Sequence, residues 1–110
     1  MELADSTEVQ LKRGVLELCV LAHLAAADNY AYEIATFLSR EIGMGEGTIY
    51  PLMRRMQAEG LLEDYLVESP SGPPRRYYRL TRSGRARLQS QRDTWQEFSR
   101  SIDRIVRSAR

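Results

Sequence analysis

Two pairs of adjacent arginines, Arg54-Arg55 and Arg75-Arg76, are the side chains in this sequence best suited to chemistry. A guanidinium is a planar fork of donors that fits phosphate oxygens or the O6/N7 edge of guanine, and neither use needs a reaction. Thr48 and Tyr50, just before the first pair, add hydroxyls that can hydrogen-bond nearby. Catalysis has less to work with. The chain holds one histidine, His23, and one cysteine, Cys19, with no carboxylate pair in an apolar pattern and no phosphate-binding glycine loop followed by Lys-Ser/Thr. No second His or Cys stands at ligand spacing, so no metal, cofactor or enzymatic activity is expected, and His23 reads as a packing or capping residue. Cys19 lies in the apolar run of residues 15–21 and has no partner for an intrachain disulfide, which favours a buried structural thiol over a redox sensor.

The net charge of +1 does not by itself suggest a polyanionic partner. Its distribution is more informative: residues 1–74 hold five Lys/Arg against twelve Asp/Glu (−7), and residues 75–110 hold eleven arginines against three (+8). Such asymmetry fits a polyanion or an acidic protein surface, while an Arg-rich solvated helix is the plainer explanation. The 110-residue length, 43% hydrophobic content and 28% charged content fit one soluble globular domain. No run of about 18 apolar residues is present, and Met1-Glu2-Leu3-Ala4-Asp5 lacks the order of a secretory signal, so no membrane association and a cytoplasmic location are expected.

Residues 1–8 read as a polar lead-in. A first helix is expected from about Val9 to Ala27, with apolar positions on more than one stripe, so that one side can face its own core and the other a partner subunit. Leu16 and Val20 are assigned to the partner side. Asp28-Asn29 breaks that helix, and residues 30–42 form a second, stopped at Gly43. After the glycine-rich stretch 43–47, Ile49, Leu52, Met53 and Met56 mark a third helix ending at Gly60, and Pro51 is accommodated if that helix starts near Gly47 or Thr48. Two short helices joined by a tight glycine turn follow helix-turn-helix grammar. Residues 61–68 and 75–81 read as a β-hairpin whose long, stiff tip is Ser69-Pro70-Ser71-Gly72-Pro73-Pro74. Thr81 can cap a last helix running to about Val106.

On the third helix, a 100° step puts Gly47, Pro51, Arg54 and Ala58 opposite the apolar face, with Thr48 and Arg55 on one flank and Tyr50 on the other. Small residues let a helix enter a major groove roughly 12 Å wide. An ordinary amphipathic surface helix would look similar. Pro73-Pro74 before Arg75-Arg76 suits a loop that offers two adjacent guanidinium groups to phosphates or a minor groove, or else two edge-strand charges that discourage aggregation. Tyr78 is expected in the core and Tyr77 partly exposed.

In these segments the chain resembles the PadR family of winged-helix transcriptional regulators, over about residues 11–107. The likeness rests on Ala31-Tyr32-Glu33-Ile34, Gly47-Thr48-Ile49-Tyr50-Pro51-Leu52, Glu59-Gly60-Leu61-Leu62, and the run Gly72 to Thr81 followed by Gly84. It implies a mainly α fold with a small β-hairpin, a winged helix-turn-helix over residues 9–81, and a C-terminal dimerisation helix over residues 82–110 that pairs with the first helix of a second subunit. It also implies that the third helix is the recognition helix and the hairpin the wing. Family members are typically repressors, several of them responsive to small aromatic or drug-like molecules. Tyr30-Ala31 stands where many members have His-Gly, and no larger effector domain is implied.

The last helix has apolar residues seven apart, Leu88, Trp95, Ile102 and Ala109, beside the series Gln91, Phe98 and Ile105. Alone in water, Trp95, Phe98, Ile102 and Ile105 would each forgo about 1.5–3 kcal/mol of burial, so a homodimer is expected, with these four and Leu88 at its interface. Two-fold pairing would space two recognition helices roughly 34 Å apart, which matches an inverted-repeat operator in double-stranded DNA. Trp95 and Phe98 are candidate contacts for a flat aromatic ligand, against the alternative that Trp95 is interface packing. A winged-helix module that grips an acidic protein is the competing function.

Overall fold

The computed structural model describes residues 15–109, so the expected helix start at Val9 and the apolar positions Val9 and Leu11 lie outside the described residues. Within them, α1 (Leu16–Ala26), β1 (Asn29–Tyr30), α2 (Ala31–Ile42), α3 (Glu46–Ala58), β2 (Leu62–Ser69), β3 (Gly72–Leu80) and α4 (Arg82–Ser108) follow in order. The fold is mainly α, a winged helix-turn-helix followed by a long helix. β3 is the centre of a three-stranded antiparallel sheet, with β1 on one side and β2 on the other.

The apolar spacing seen in the sequence builds the core. Leu16, Val20, Leu21 and Leu24 of α1, Ile34, Ala35 and Leu38 of α2, and Ile49, Met53 and Met56 of α3 meet Leu61, Leu62, Tyr78, Leu80 and Leu88 in one buried cluster. Gly43 (φ 70°) ends α2 and Gly60 (φ 80°) ends the turn after α3, left-handed positions that a residue with a Cβ adopts only at a cost. Thr81 then joins two elements: its hydroxyl donates to the Gly60 carbonyl at 2.6 Å and accepts the Gly84 amide at 3.0 Å, capping α4 as expected.

Four details differ from the sequence reading. The Asp28-Asn29 break is followed by a short strand, in which Asn29 pairs with Tyr78 and Tyr30 with Tyr77. The wing tip is tight: the strands run to Ser69 and restart at Gly72, which pair with each other, leaving Pro70 and Ser71 as the turn. Pro73 and Pro74 fit inside β3 because β1 covers only Tyr77 and Tyr78, so no strand lies on the far side of the prolines, and the β2 ladder is itself irregular between Val67 and Ser69. Finally, α3 begins at Glu46, which puts Pro51 inside the helix beyond its first turn. The proline has no amide to offer the Gly47 carbonyl, and Gly47 is exposed, so water can satisfy that group.

Candidate nucleic-acid interface

α3 turns Ile49, Met53 and Met56 into the core and leaves Gly47, Thr48, Pro51, Arg54 and Ala58 exposed. A Cβ placed on Gly47 would meet nothing within 4 Å, so this face is open to a close approach. Tyr50 is half-buried at its edge, and burial, reinforced by Glu46 and Tyr32, pushes its phenol up. Arg54 has no carboxylate partner among the described residues.

Arg55 behaves differently from its neighbour. Its Nη2 donates to Glu17 Oε1 of α1 at 3.3 Å, and its Nε lies 3.8 Å from Glu59. The same Glu17 accepts on Oε2 from Arg87 at 2.9 Å and from Gln91 at 2.6 Å, both on α4. Glu17 thus gathers three donors from two helices. It was invisible as a functional residue in the sequence, because its partners stand 38 to 74 positions away.

On the wing, strand alternation separates Arg75 from Arg76, so the expected side-by-side pair of guanidinium groups does not form. Arg75 lies over the Tyr30 ring, 4.6 Å from its centroid, on the face that carries Tyr65, Tyr77 and Arg79. Arg76 lies on the other face, with Tyr78, and donates to Asp64 Oδ2 at 2.7 Å. This bond, with a smaller effect of Gln57 of α3, holds the Asp64 carboxyl below its ordinary value. The Tyr78 phenol, pushed up chiefly by burial and then by Asp64, is drawn back by both Arg76 and Arg54. As expected, Tyr78 is core and Tyr77 half-buried.

Leu16, Val20 and Leu88, expected at a subunit contact, are 3%, 0% and 5% exposed, a correction to that assignment. The first turns of α4 lie against α1 and the sheet, so these side chains are covered by their own chain and have no surface to give a partner. Trp95, Phe98, Ile102 and Ile105 are instead 42–66% exposed along the rest of α4. Between them and α1 runs a groove of about 750 Å³, lined by Val15 and Leu18 of the first helical segment and by Gln91, Trp95, Phe98, Ile102 and Val106 among others.

Cys19 is half-buried beside the core, less enclosed than expected, and burial pushes its thiol up. His23 stacks on Phe37 with centroids 4.5 Å apart. Its Nε2 accepts from Asn29 Nδ2 at 3.2 Å, because Asn29 Oδ1 is occupied by the Tyr30 amide. Among the described residues no group of three or more His, Cys, Asp or Glu side chains could hold a metal ion, and no helix is long and apolar enough to cross a membrane.

Comparison with known proteins agrees with this geometry. The transcriptional regulator PadR-like family matches residues 20–90. A PadR-like transcriptional regulator from Bacillus cereus is 35% identical, with a TM-score of 0.83, over 91% of this chain and 99% of that one. A transcriptional regulator of Mycobacterium tuberculosis is 34% identical over 100 residues, 84% of this chain and 87% of its own length. Bacillus subtilis PadR, solved in complex with operator DNA, shares the fold at 23% identity and a TM-score of 0.63, over 70% of this chain and 46% of that one.

Proposed function

The chain belongs to the PadR-like family of transcriptional regulators, and from that membership and the geometry of α3 and the wing we propose that it binds double-stranded DNA sequence-specifically as a homodimer. The observation that carries this reading is the open outer face of α3, where Thr48, Pro51 and Arg54 are exposed and a Cβ on Gly47 would meet nothing within 4 Å. Thr48, Tyr50 and Arg54 then read or brace the major groove, while Arg75, and from the other strand face Arg76 with its charge partly offset by Asp64, approach flanking phosphates. Bacillus subtilis PadR, which shares the fold, binds operator DNA.

In this reading, residues 9–81 form the DNA-binding unit and residues 82–110 the pairing helix. Trp95, Phe98, Ile102 and Ile105 bury against a second copy, and the two-fold axis calls for an inverted-repeat operator with half-sites one turn apart. The regulator acts as a repressor in the cytoplasm. A small, flat aromatic ligand seated between Trp95 and Phe98 in the apolar groove releases it.

Selection of binding sites from random duplex DNA tests the reading. A two-fold symmetric motif is expected. Recovery of unselected sequence, or binding whose affinity does not fall linearly with salt on log–log axes, would overturn it.

A further inference from the structure

Arg54 and Arg55 are adjacent on the recognition helix, yet their surroundings are opposite. Arg54 meets no carboxylate among the described residues, whereas Arg55 is directed to Glu17 and Glu59. The Glu17 side chain is 16% exposed and pinned by Arg87 and Gln91 of α4, while Arg55 remains 57% exposed. The acceptor is therefore fixed and the donor free to swing. A DNA phosphate is the same kind of acceptor, a hard anion that takes guanidinium hydrogen bonds, and would compete for Arg55.

Building on the DNA-binding reading, we propose that Glu17 is an internal surrogate for a DNA phosphate: it withholds Arg55 from the duplex, so that this positive charge on the recognition helix does not contribute to operator affinity. Arg55 sits at the flank of the open face, where an unrestrained side chain would reach the backbone of almost any sequence. Its capture lowers non-specific attraction and leaves the reading to residues on the face itself.

The test is the slope of log K against log salt for duplex DNA, in which each neutralised phosphate contributes about 0.9. Glu17→Gln should steepen the slope by about 0.9, an extra loss of about 3.5-fold across a fourfold rise in salt. Glu17→Gln with Arg55→Ala should return to the parental slope, which assigns the gain to Arg55 rather than to Arg87. Arg55→Ala alone should leave the slope unchanged. Glu17→Asp keeps the charge, safeguards folding and should shift the slope in the same direction by less. A drop of about 0.9 for Arg55→Ala alone, a parental slope in both Glu17 variants, or a double variant that stays steep would overturn the proposal while leaving DNA binding intact. A parent chain that binds no duplex at any salt would remove both.

Discussion

Arg76 donates from Nη1 to Asp64 Oδ2 at 2.7 Å across the β2–β3 ladder, two positions from the buried Tyr78. Gln57 of α3 also acts to lower the Asp64 carboxyl, so this carboxylate stands where the root of the wing meets α3.

If Arg54 faces the duplex, replacing it with alanine should weaken DNA binding and reduce the salt slope by about 0.9, while Arg76→Ala should reduce it by less because Asp64 already offsets that charge at 2.7 Å. Arg107→Ala is the control, because Arg107 is near the far end of α4 and already paired with Asp103 at 2.6 Å. Filter binding or fluorescence anisotropy across a salt series would show it. Equal slopes for Arg54→Ala and Arg107→Ala would contradict an Arg54 that faces the duplex.

Gly84 lies where a Cβ would be 2.2 Å from the Leu61 carbonyl oxygen, a backbone atom with no rotamer to change. Gly84→Ala should cost at least about 1–3 kcal/mol, as overpacking does, and lower the urea midpoint. Gly47→Ala, with open space around it, should cost nothing or gain up to about 1 kcal/mol from helix propensity. Identical midpoints for the two variants would refute the close approach.

Burial lowers the His23 pKa, against a smaller opposing pull from Glu33. The folded chain thus prefers the neutral ring that accepts from Asn29, while the unfolded chain takes up a proton near pH 6.5. The stability from this group is complete above that pH and drains away as pH falls through the lower folded value. Melting curves at pH 7 and pH 5 should show a larger drop for the parent than for His23→Phe. Matching drops would mean another group titrates.

The exposed stripe on α4 predicts self-association through Ile102. Ile102→Glu should put a charge into the paired surface and shift the protein to a monomer in sedimentation velocity while its circular dichroism holds. Affinity for a two-half-site duplex should then approach that for a single half-site. A dimer that survives this substitution would move the interface elsewhere.

Much of the site was legible because its signals are local. The spacing of Ile49, Met53 and Met56 orients α3, which in turn decides that Arg54 faces outward. Thr81 before an Arg-rich helix signals its cap. The two-residue β1 carries too short a pattern to read, and only its pairing with Tyr77 and Tyr78 makes it a strand. The prolines of the wing suggested a long loop because the absence of a neighbouring strand, which makes them tolerable in β3, is not a property of residues 69–74.

Sequence alone was enough to determine the buried face of α3, the existence of the hairpin, the Thr81 cap and the excess of arginine after residue 74, since each depends on neighbours within a few turns or on composition. Tertiary structure decided which arginines are presented. Arg55 is held by Glu17, Arg75 and Arg76 part to opposite faces of β3, and Leu16, Val20 and Leu88 are consumed by their own core. The physical reason is that a charged or apolar side chain is satisfied by whatever lies within a few ångströms, and here those partners come from helices and strands far away in the chain.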